Sequence, residues 1–368
     1  MKKLFIVCMA VIILFSVYSC EKTASSPSSM PSSSETGSTP ATGLTVSPLI
    51  KIAPKSGSTV PSLRFFTMEN GILYLTALDD GYVAGYFELS SKLIADCVIK
   101  KADAKSDTLF KTFSTGNRKA ISVFGDEIFI SDLMGDTYQA MDIGKAVNLK
   151  NALLRDDTQF IYENDSYILT DLIDLQLDRI LARKANLANY AALMTLSADE
   201  KKVYYATGSD GNYTGYAYFD YGNSEVIGVG IKNMAFNKFD EIAPGRVLLT
   251  EDKLSETVYT YVNLDSGDTR SITIPSSTLY YGYRADSNGK LLVAYTSSDT
   301  SHSGGNIDIY SFSDCRRIAS VELNEYKTNP DIALTLDGRY VIFSRWSLDN
   351  DDKEGELICY IDLLNLIK

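Results

Sequence analysis

Residues 334–344 read LTLDGRYVIFS, and residues 355–362 continue GELICYID. The pair Asp337-Gly338 is a turn signal, and the run YVIF that follows is rich in the β-branched and aromatic residues of a strand. A polar stretch separates this run from the second apolar run. The segment therefore predicts a repeating unit that consists of a turn, a strand, a polar loop and another strand.

The same unit recurs along the chain. Its first apolar runs are ILYL at 72–75, EIFI at 127–130, QFIY at 159–162, KVYY at 202–205, RVLL at 246–249, LLVAY at 291–295 and YVIF at 340–343. The separations of Val203, Val247, Leu291 and Val341 are 44, 44 and 50 residues, which matches the period of about 40 to 50 residues of a propeller blade. The spacing predicts an all-β fold over residues 44–368: a β-propeller with seven blades of four antiparallel strands.

The unit at 334–362 resembles the repeat of TolB-type, WD-repeat-like propellers, in which an Asp-Gly turn precedes an apolar strand and a Gly-led strand ends in Asp. Residues 196–205 are a weaker copy. The resemblance implies that the loops between second and third strands emerge on one face around a central channel. It implies no activity, because propellers carry many unrelated functions. Quinone-cofactor propellers usually carry docking tryptophans, whereas this chain has only Trp346, so no cofactor is expected.

The two ends of the body suggest how the ring closes. The last unit stops after its third strand, whereas residues 44–52 (LTVSPLIKI) are strand-like and precede the first full blade. We expect this N-terminal strand to complete the final blade, because that removes two exposed sheet edges. The apolar residues within 171–189 fit both the alternation of a strand and the spacing of one face of a helix, and the context favours a strand.

Residues 1–20 read MKKLFIVCMAVIILFSVYSC. Two lysines precede an apolar run that is shorter than the roughly 20 residues needed to span a bilayer, which predicts a signal peptide over residues 1–19. The segment VYSC at 17–20 resembles the lipobox of bacterial lipoproteins, although Tyr18 departs from the small or β-branched residues usual there. The resemblance implies lipidation of Cys20. The alternative is an ordinary signal peptide with an incidental cysteine.

Residues 20–43 combine the lipidated cysteine with a tether rich in Ser, Thr and Pro, which cannot bury enough apolar surface to fold. Loss of Lys2 and Lys3 with the leader changes the formal net charge from −12 to −14. Such a charge disfavours nucleic acid and anionic lipid as partners, so attachment to the membrane depends on the lipid anchor alone. We expect an extracytoplasmic location on the cell membrane or the outer membrane.

The loops between second and third strands are predicted to be acidic. The candidate binding loops carry Asp79, Asp80, Asp132, Asp136, Asp210, Glu251, Asp252, Asp299, Asp349, Asp351 and Asp352, with Tyr213 and Tyr216 close to the loop at 208–212. These carboxylates suit a basic protein patch or a cation, although turn preference alone also favours Asp in hairpin loops. For the tyrosines, packing within the sheet is the ordinary interpretation.

No catalytic or metal-binding pattern emerges. The only histidine, His302, lies in a polar loop without a neighbouring nucleophile pattern. The loop DNDDKEGE at 349–356 is dense in oxygen ligands, but Lys353 occupies a liganding position of the helix-loop-helix calcium pattern and the glycine comes one residue late. Cys97, Cys315 and Cys359 are odd in number, which leaves open either three thiols or one disulfide with a spare thiol.

These observations predict a membrane-anchored extracytoplasmic lipoprotein whose propeller is a protein-binding or scaffolding module of the cell envelope. The expected partner is another envelope protein or a glycan. The alternative is a propeller enzyme, similar to a lactonase or a glycosidase, that uses carboxylates lining the central channel.

Overall fold

The structure is a computed structural model that describes residues 43–48, 50–51, 64–67, 71–78, 81–89, 93–100, 109–114, 119–124, 127–142, 151–155, 159–172, 177–187, 189–220, 229–275, 280–296, 305–323, 326–347 and 357–366. The predicted signal peptide, Cys20 and tether residues 21–42 lie outside these ranges. Within them the chain is β, apart from turns and one short 3-10 helix at Lys184–Asn186. The predicted all-β class is confirmed.

The described strands form seven four-stranded antiparallel sheets. Sheet 1 contains β2 (Arg64–Thr67), β3 (Gly71–Leu78), β4 (Gly81–Glu88) and β5 (Leu93–Lys100). Sheet 2 contains β6 (Leu109–Ser114), β7 (Lys119–Phe124), β8 (Glu127–Asp132) and β9 (Thr137–Asp142). Sheet 3 contains β10 (Asn151–Arg155), β11 (Gln159–Glu163), β12 (Tyr167–Leu172) and β13 (Leu177–Arg183). Sheet 4 contains β14 (Tyr190–Leu196), β15 (Lys202–Ser209), β16 (Asn212–Asp220) and β17 (Val229–Phe236).

The remaining strands continue the same order. Sheet 5 contains β18 (Lys238–Ala243), β19 (Arg246–Asp252), β20 (Glu256–Asn263) and β21 (Thr269–Pro275). Sheet 6 contains β22 (Tyr280–Ala285), β23 (Leu291–Thr296), β24 (Asn306–Ser311) and β25 (Arg316–Glu322). Sheet 7 contains β26 (Tyr326–Leu334), β27 (Tyr340–Ser347), β28 (Leu357–Asp362) and, as its fourth strand, β1 (Ile50–Lys51).

The N-terminal strand closes the last sheet, as the sequence predicts. Strand β1 pairs antiparallel with β28, with Ile50 opposite Ile358. Val46 forms a further antiparallel bridge with Ile361. The Ser47 amide also donates to the Tyr360 carbonyl oxygen at 2.8 Å. The first and last segments of the body are thus joined in one sheet, which covers the edge of β28.

The first strands of neighbouring sheets contact each other. Strand β14 contacts β10 and β18, and β10 also contacts β6. Strand β26 contacts both β22 and β2, so the last sheet meets the first. The first strands therefore surround the centre of the fold, and the later strands of each sheet lie progressively outward. This is the arrangement of a β-propeller.

Apolar layers fill the space between neighbouring sheets. Between sheets 6 and 7, Val293 and Ile307 pack with Val341 and Phe343, all fully buried. Equivalent layers lie between sheets 3 and 4, 4 and 5, and 5 and 6. The second strands contribute to the layers on both of their sides, which explains why their sequences are continuous apolar runs instead of alternating ones.

The structure of the Asp337-Gly338 turn explains why this sequence is typical of the turn between the first and second strands. The Thr335 hydroxyl donates to the Asp337 carboxylate at 2.6 Å, and that carboxylate also accepts from the Arg339 amide at 2.9 Å. Gly338 has a φ of +77°, a conformation that glycine adopts without strain. The turn aligns β26 with β27. Asp286 binds the amides of Lys290 and Leu291 in the corresponding turn of sheet 6.

In sheet 2, one predicted strand position is wrong. The run at 127–130 was expected to be a second strand, but Lys119–Phe124 is the second strand and Glu127–Asp132 is the third. The residue before Ile121 and the one after it are Ala120 and Ser122, so the segment lacks a continuous large apolar run. With Ile121 as reference, the steps from Leu73 to Ile121 to Ile161 to Val203 are 48, 40 and 42 residues, and the repeat is regular.

Two further expectations concern residues 171–189 and the three cysteines of the body. The strand preferred within residues 171–189 is confirmed over Leu177–Arg183, although residues 173–176 lie outside the described ranges. Cys97 and Cys359 are buried in sheets 1 and 7, and Cys315 is exposed in the turn between β24 and β25.

Candidate functional site

The strand order assigns each loop to one of two faces. In an antiparallel sheet, the loop between the second and third strands lies at the opposite end from the loops that join the first two and the last two strands. We call the face with the loops between second and third strands the upper face, and the opposite one the lower face. The upper face also carries the links from one sheet to the next.

The predicted loop residues divide into three groups. Asp210, Glu251 and Asp252 lie on the upper face, in sheets 4 and 5. Outside the described ranges lie Cys20, Asp79, Asp80, Asp299, Asp349, Asp351 and Asp352. The placement of Asp132 and Asp136 on the upper face is wrong, because their loop joins β8 to β9, the third and fourth strands of sheet 2.

Asp132 has a structural role on the lower face. Its Oδ1 accepts hydrogen bonds from the amides of Met134 and Gly135 at 3.1 and 3.0 Å. Asp136 has a φ of +53°, a conformation that Asp tolerates better than most residues. Both aspartates therefore fit the geometry of this turn.

The sheet 4 hairpin holds Asp210 and both candidate tyrosines. The Tyr213 hydroxyl donates to the Asp210 carboxylate at 2.9 Å, and the Tyr213 ring stacks on Phe236 with centroids 4.9 Å apart. Burial, with the nearby Asp210, raises the pKa of Tyr213 to about 12. Burial also raises the pKa of Tyr216 to about 12. Both rings lie in the apolar layer between sheets 4 and 5, beneath the loop that carries Asp210.

The sheet 5 hairpin holds Glu251 and Asp252 in defined positions. Lys253 Nζ lies 3.4 Å from Glu251 and 3.7 Å from Glu256. The Asp252 amide donates to the Asn237 side chain at 2.7 Å, and its carboxylate lies 3.6 Å from Lys238 Nζ. The tip of this hairpin is Leu254, whose side chain has a relative exposure of 106%. The sequence analysis did not single out this residue.

A second group of polar residues lies on the first strands, which border the centre of the fold. Asp240 and Glu241 are exposed on β18. The Thr195 hydroxyl of β14 donates to Glu241 Oε1 at 2.7 Å. On β22, Arg284 Nη1 donates to the Tyr283 carbonyl oxygen at 2.7 Å, and the Tyr283 hydroxyl accepts from Thr250 at 3.2 Å. Sheets 4, 5 and 6 thus bring carboxylates, a guanidinium and hydroxyls close together on or beside their first strands.

The electrostatics of Asp240 differ from those of an ordinary surface carboxylate. Loss of hydration raises its pKa, and Arg284 and the Tyr283 hydroxyl oppose that rise. Asp240 is exposed, although neighbouring protein groups remove part of its hydration. Burial, together with Asp240, also raises the pKa of Tyr283. The raised pKa makes this carboxylate a better proton acceptor than an ordinary surface carboxylate.

A buried ion pair lies on the upper side of sheets 3 and 4. Lys184 Nζ lies 2.9 Å from Glu163 Oε1, with side-chain exposures of 18% and 3%. Glu163 Oε2 also accepts from the Leu193 amide at 3.1 Å. The Lys184 ammonium stands 5.1 Å from the centroid of the Tyr190 ring. Burial and Glu163 raise the pKa of the Tyr190 phenol, although no hydrogen bond of ordinary geometry reaches its hydroxyl.

The described ranges hold no group of three or more His, Cys, Asp or Glu side chains that could bind a metal ion. His302 and the loop at 349–356 lie outside those ranges. In the part of the chain that the structure describes, no helix has the length and apolar character required to cross a membrane.

Comparison with known proteins gives structural neighbours only. No family model and no curated protein matches the chain. An oligogalacturonate lyase in complex with manganese has a TM-score of 0.56 and 9% identity, over 87% of this chain and 97% of that one. The oligogalacturonate lyase of Vibrio parahaemolyticus has a TM-score of 0.56 and 10% identity, over 88% and 100%. The WD40 domain of Toxoplasma gondii coronin has a TM-score of 0.50 and 13% identity, over 87% and 86%.

These neighbours include enzymes and WD40 domains, and at such low identity the likeness extends to the fold alone. Strand order, ring closure and structural neighbours agree on one architecture. The chain is a β-propeller closed by its own N-terminal strand.

Proposed function

We propose that this chain is a lipid-anchored extracytoplasmic lipoprotein whose propeller binds another envelope protein through its upper face. The observation that carries the proposal is the acidic hairpin of sheet 5. Its carboxylates lie within ion-pair distance of Lys253 and Lys238 instead of converging on a reacting centre. Carboxylates at an exposed rim favour a partner of opposite charge, because complementary charge speeds association and disfavours other partners.

The N-terminal sequence supports the location. An apolar leader over residues 1–19, followed by Cys20, suits export and lipidation, and the Ser/Thr/Pro-rich tether suits a body held clear of the lipid headgroups. A formal net charge of −14 after cleavage keeps the body off anionic lipid. The upper face is then available to a partner that presents basic residues.

Capture of the tagged full-length chain from its native envelope tests both parts of the proposal. We expect the wild-type chain to fractionate with membranes and to recover a specific protein partner. The Glu251→Lys variant should recover roughly two- to tenfold less of that partner, because a reversed rim charge slows association. The Cys20→Ala variant should leave the membrane fraction.

Asp314→Lys is the matched control for the charge reversal. Asp314 is exposed in the turn between β24 and β25, on the lower face, so this variant should recover the partner as the wild type does. Equal losses at residues 251 and 314 would contradict binding through the upper face. Membrane retention of the Cys20→Ala variant would contradict the anchor.

The polar group on the first strands favours a second candidate function, an enzyme that acts on a lactone or a glycoside. Asp240 would be the proton-transferring carboxyl, and Arg284 and Tyr283 would bind the substrate. We expect Asp240→Asn to lower kcat/KM by at least about 100-fold, in keeping with the loss of a general acid or base. The measurement is turnover of a panel of lactones and aryl glycosides, with Asp314→Asn as the control. A wild-type chain that turns over none of them excludes this reaction class.

A further inference from the structure

The tip of the sheet 5 hairpin departs from the chemistry that such tips favour. Asp252 pairs with Thr257 across the hairpin, and the Lys253 amide donates to the Glu256 carbonyl oxygen at 2.8 Å. Leu254 and Ser255 are therefore the two central residues of a tight turn. Two-residue hairpin turns favour Gly, Asn and Asp, since these residues tolerate the backbone angles or bond to the local backbone.

Other hairpins of this chain follow that preference. The corresponding connection in sheet 4 is Asp210-Gly211, and Gly211 has a φ of +73°. In the sequence, the connections at the same position of sheets 1 and 2 are Asp79-Asp80 and Gly125-Asp126. Turn geometry therefore does not account for a leucine at residue 254.

Packing within the chain does not account for Leu254 either. A relative exposure of 106% means that this side chain projects fully into solvent. A leucine gains free energy only when its apolar surface leaves water, and here the propeller removes none of that surface. A partner that covers the side chain would supply this burial.

The surroundings of Leu254 indicate the kind of surface that would cover it. Residues 251–256 read EDKLSE, with a formal charge of −2. Lys253 lies within ion-pair distance of Glu251 and Glu256, so the rim around the leucine keeps a net negative charge. Anionic lipid would be repelled by this rim, whereas an apolar pocket edged with Lys or Arg complements it in shape and charge.

We propose that Leu254 is the apolar anchor of the upper face and inserts into a pocket, rimmed by basic residues, on an envelope protein. The inference rests on the proposed binding function and adds the contact point and the chemistry of the partner. Glu251 and Glu256 meet the basic rim, and Leu254 fills the pocket. Buried apolar anchors surrounded by polar contacts are the usual source of affinity in such interfaces.

Site-specific photocrosslinking tests the contact point. A photoreactive amino acid replaces Leu254 in the full-length lipidated chain in native cells. A second chain carries it at Met134, and a third carries it at Asp210 on the upper face. Met134 is the matched control, because its side chain is 54% exposed in the loop between β8 and β9 on the lower face. We expect one major adduct with a different protein from position 254 and none from position 134.

The crosslinked protein, once identified and purified, gives the second measurement. Leu254→Ala should weaken its binding about tenfold and Leu254→Asp more strongly, whereas Met134→Ala should leave the Kd unchanged. Adducts only with lipid or with a second copy of this chain, or equal adducts at both positions, overturn the proposal. A partner that crosslinks from position 210 but not from 254 overturns the anchor and leaves the binding function intact. If neither position 210 nor position 254 gives an adduct with a protein, the result contradicts both the anchor and the binding function.

Discussion

Removal of residues 44–53 from the full-length chain should lower the melting temperature by about 5 °C or more. This segment supplies the fourth strand of sheet 7 and the bridge between Val46 and Ile361. Its loss exposes the edge of β28 and leaves the Tyr360 amide without the Ser47 hydroxyl, which accepts from it at 3.0 Å. The last sheet would then lose the strand that joins it to the start of the body.

Loss of apolar contacts accounts for most of the destabilisation expected when residues 44–53 are removed. Leu44 and Val46 are partly buried against the layer between sheets 6 and 7. Burial of a leucine or valine side chain contributes about 1.5 to 3 kcal/mol when complete, so the two together account for a few kcal/mol. The lost backbone pairing adds to this sum. For a body of more than 300 residues, the per-residue entropy of unfolding gives a shift of roughly 1 to 2 °C in melting temperature for each kcal/mol.

The matched control removes ten residues from the tether, 26–35, and leaves Cys20 and residues 44–53 in place. This chain is shortened by the same number of residues, and we expect its melting temperature to equal that of the wild type. Scanning calorimetry of the three chains measures the difference. A chain without residues 44–53 that melts with the wild type would show that β1 does not hold the ring closed.

Sequence periodicity located the second strand in six of the seven described sheets, because apolar layers cover these strands on both sides. Val203 and Val247 are fully buried within such runs. The first strands follow a different rule, since their side chains also border the channel. Strand β18 reads KFDEIA, and its charged residues interrupt the apolar run by which a strand is recognised in the sequence. Asp240 and Glu241 were missed for that reason, although the following Pro244-Gly245 marks a turn.

Contacts between residues far apart in the chain also could not be predicted from the sequence. Glu163 and Lys184 are separated by 21 positions, with two strands between them, and neither belongs to a recognisable motif. The acidic loops, in contrast, could be read from composition. Their face could be assigned only where the register of the sheet was right, which is why Asp132 and Asp136 were placed on the wrong side.

Loss of the Glu163 side chain is expected to cause the second large change in stability. In the Glu163→Ala variant, the Lys184 ammonium loses its partner at 2.9 Å and the Leu193 amide loses its acceptor at 3.1 Å. Breaking a buried ion pair costs about 3 to 5 kcal/mol, because the remaining charge stays uncompensated. Lys184 keeps 18% side-chain exposure and can partly reach water, so we expect about 2 to 4 kcal/mol. Urea unfolding measures this loss.

Glu163→Gln separates the charge from the hydrogen bond. The amide oxygen can still accept from the Leu193 amide, so this variant should lose less stability than Glu163→Ala. Lys201→Ala is the control for loss of a lysine from an ion pair, because Lys201 and Asp199 are exposed by 71% and 57%. An exposed pair of this kind contributes about 0 to 1 kcal/mol.

A double-mutant cycle completes the test. If Glu163 and Lys184 stabilise each other, the variant that lacks both side chains should be more stable than the sum of the two single losses predicts, by about 1 to 3 kcal/mol. A coupling near zero, or a Glu163→Ala loss no larger than that of Lys201→Ala, would mean that the pair is incidental to folding. A strong coupling would instead mean that Glu163 fastens sheet 3 to sheet 4, since it binds the Leu193 amide of β14 and the lysine of the link between the two sheets.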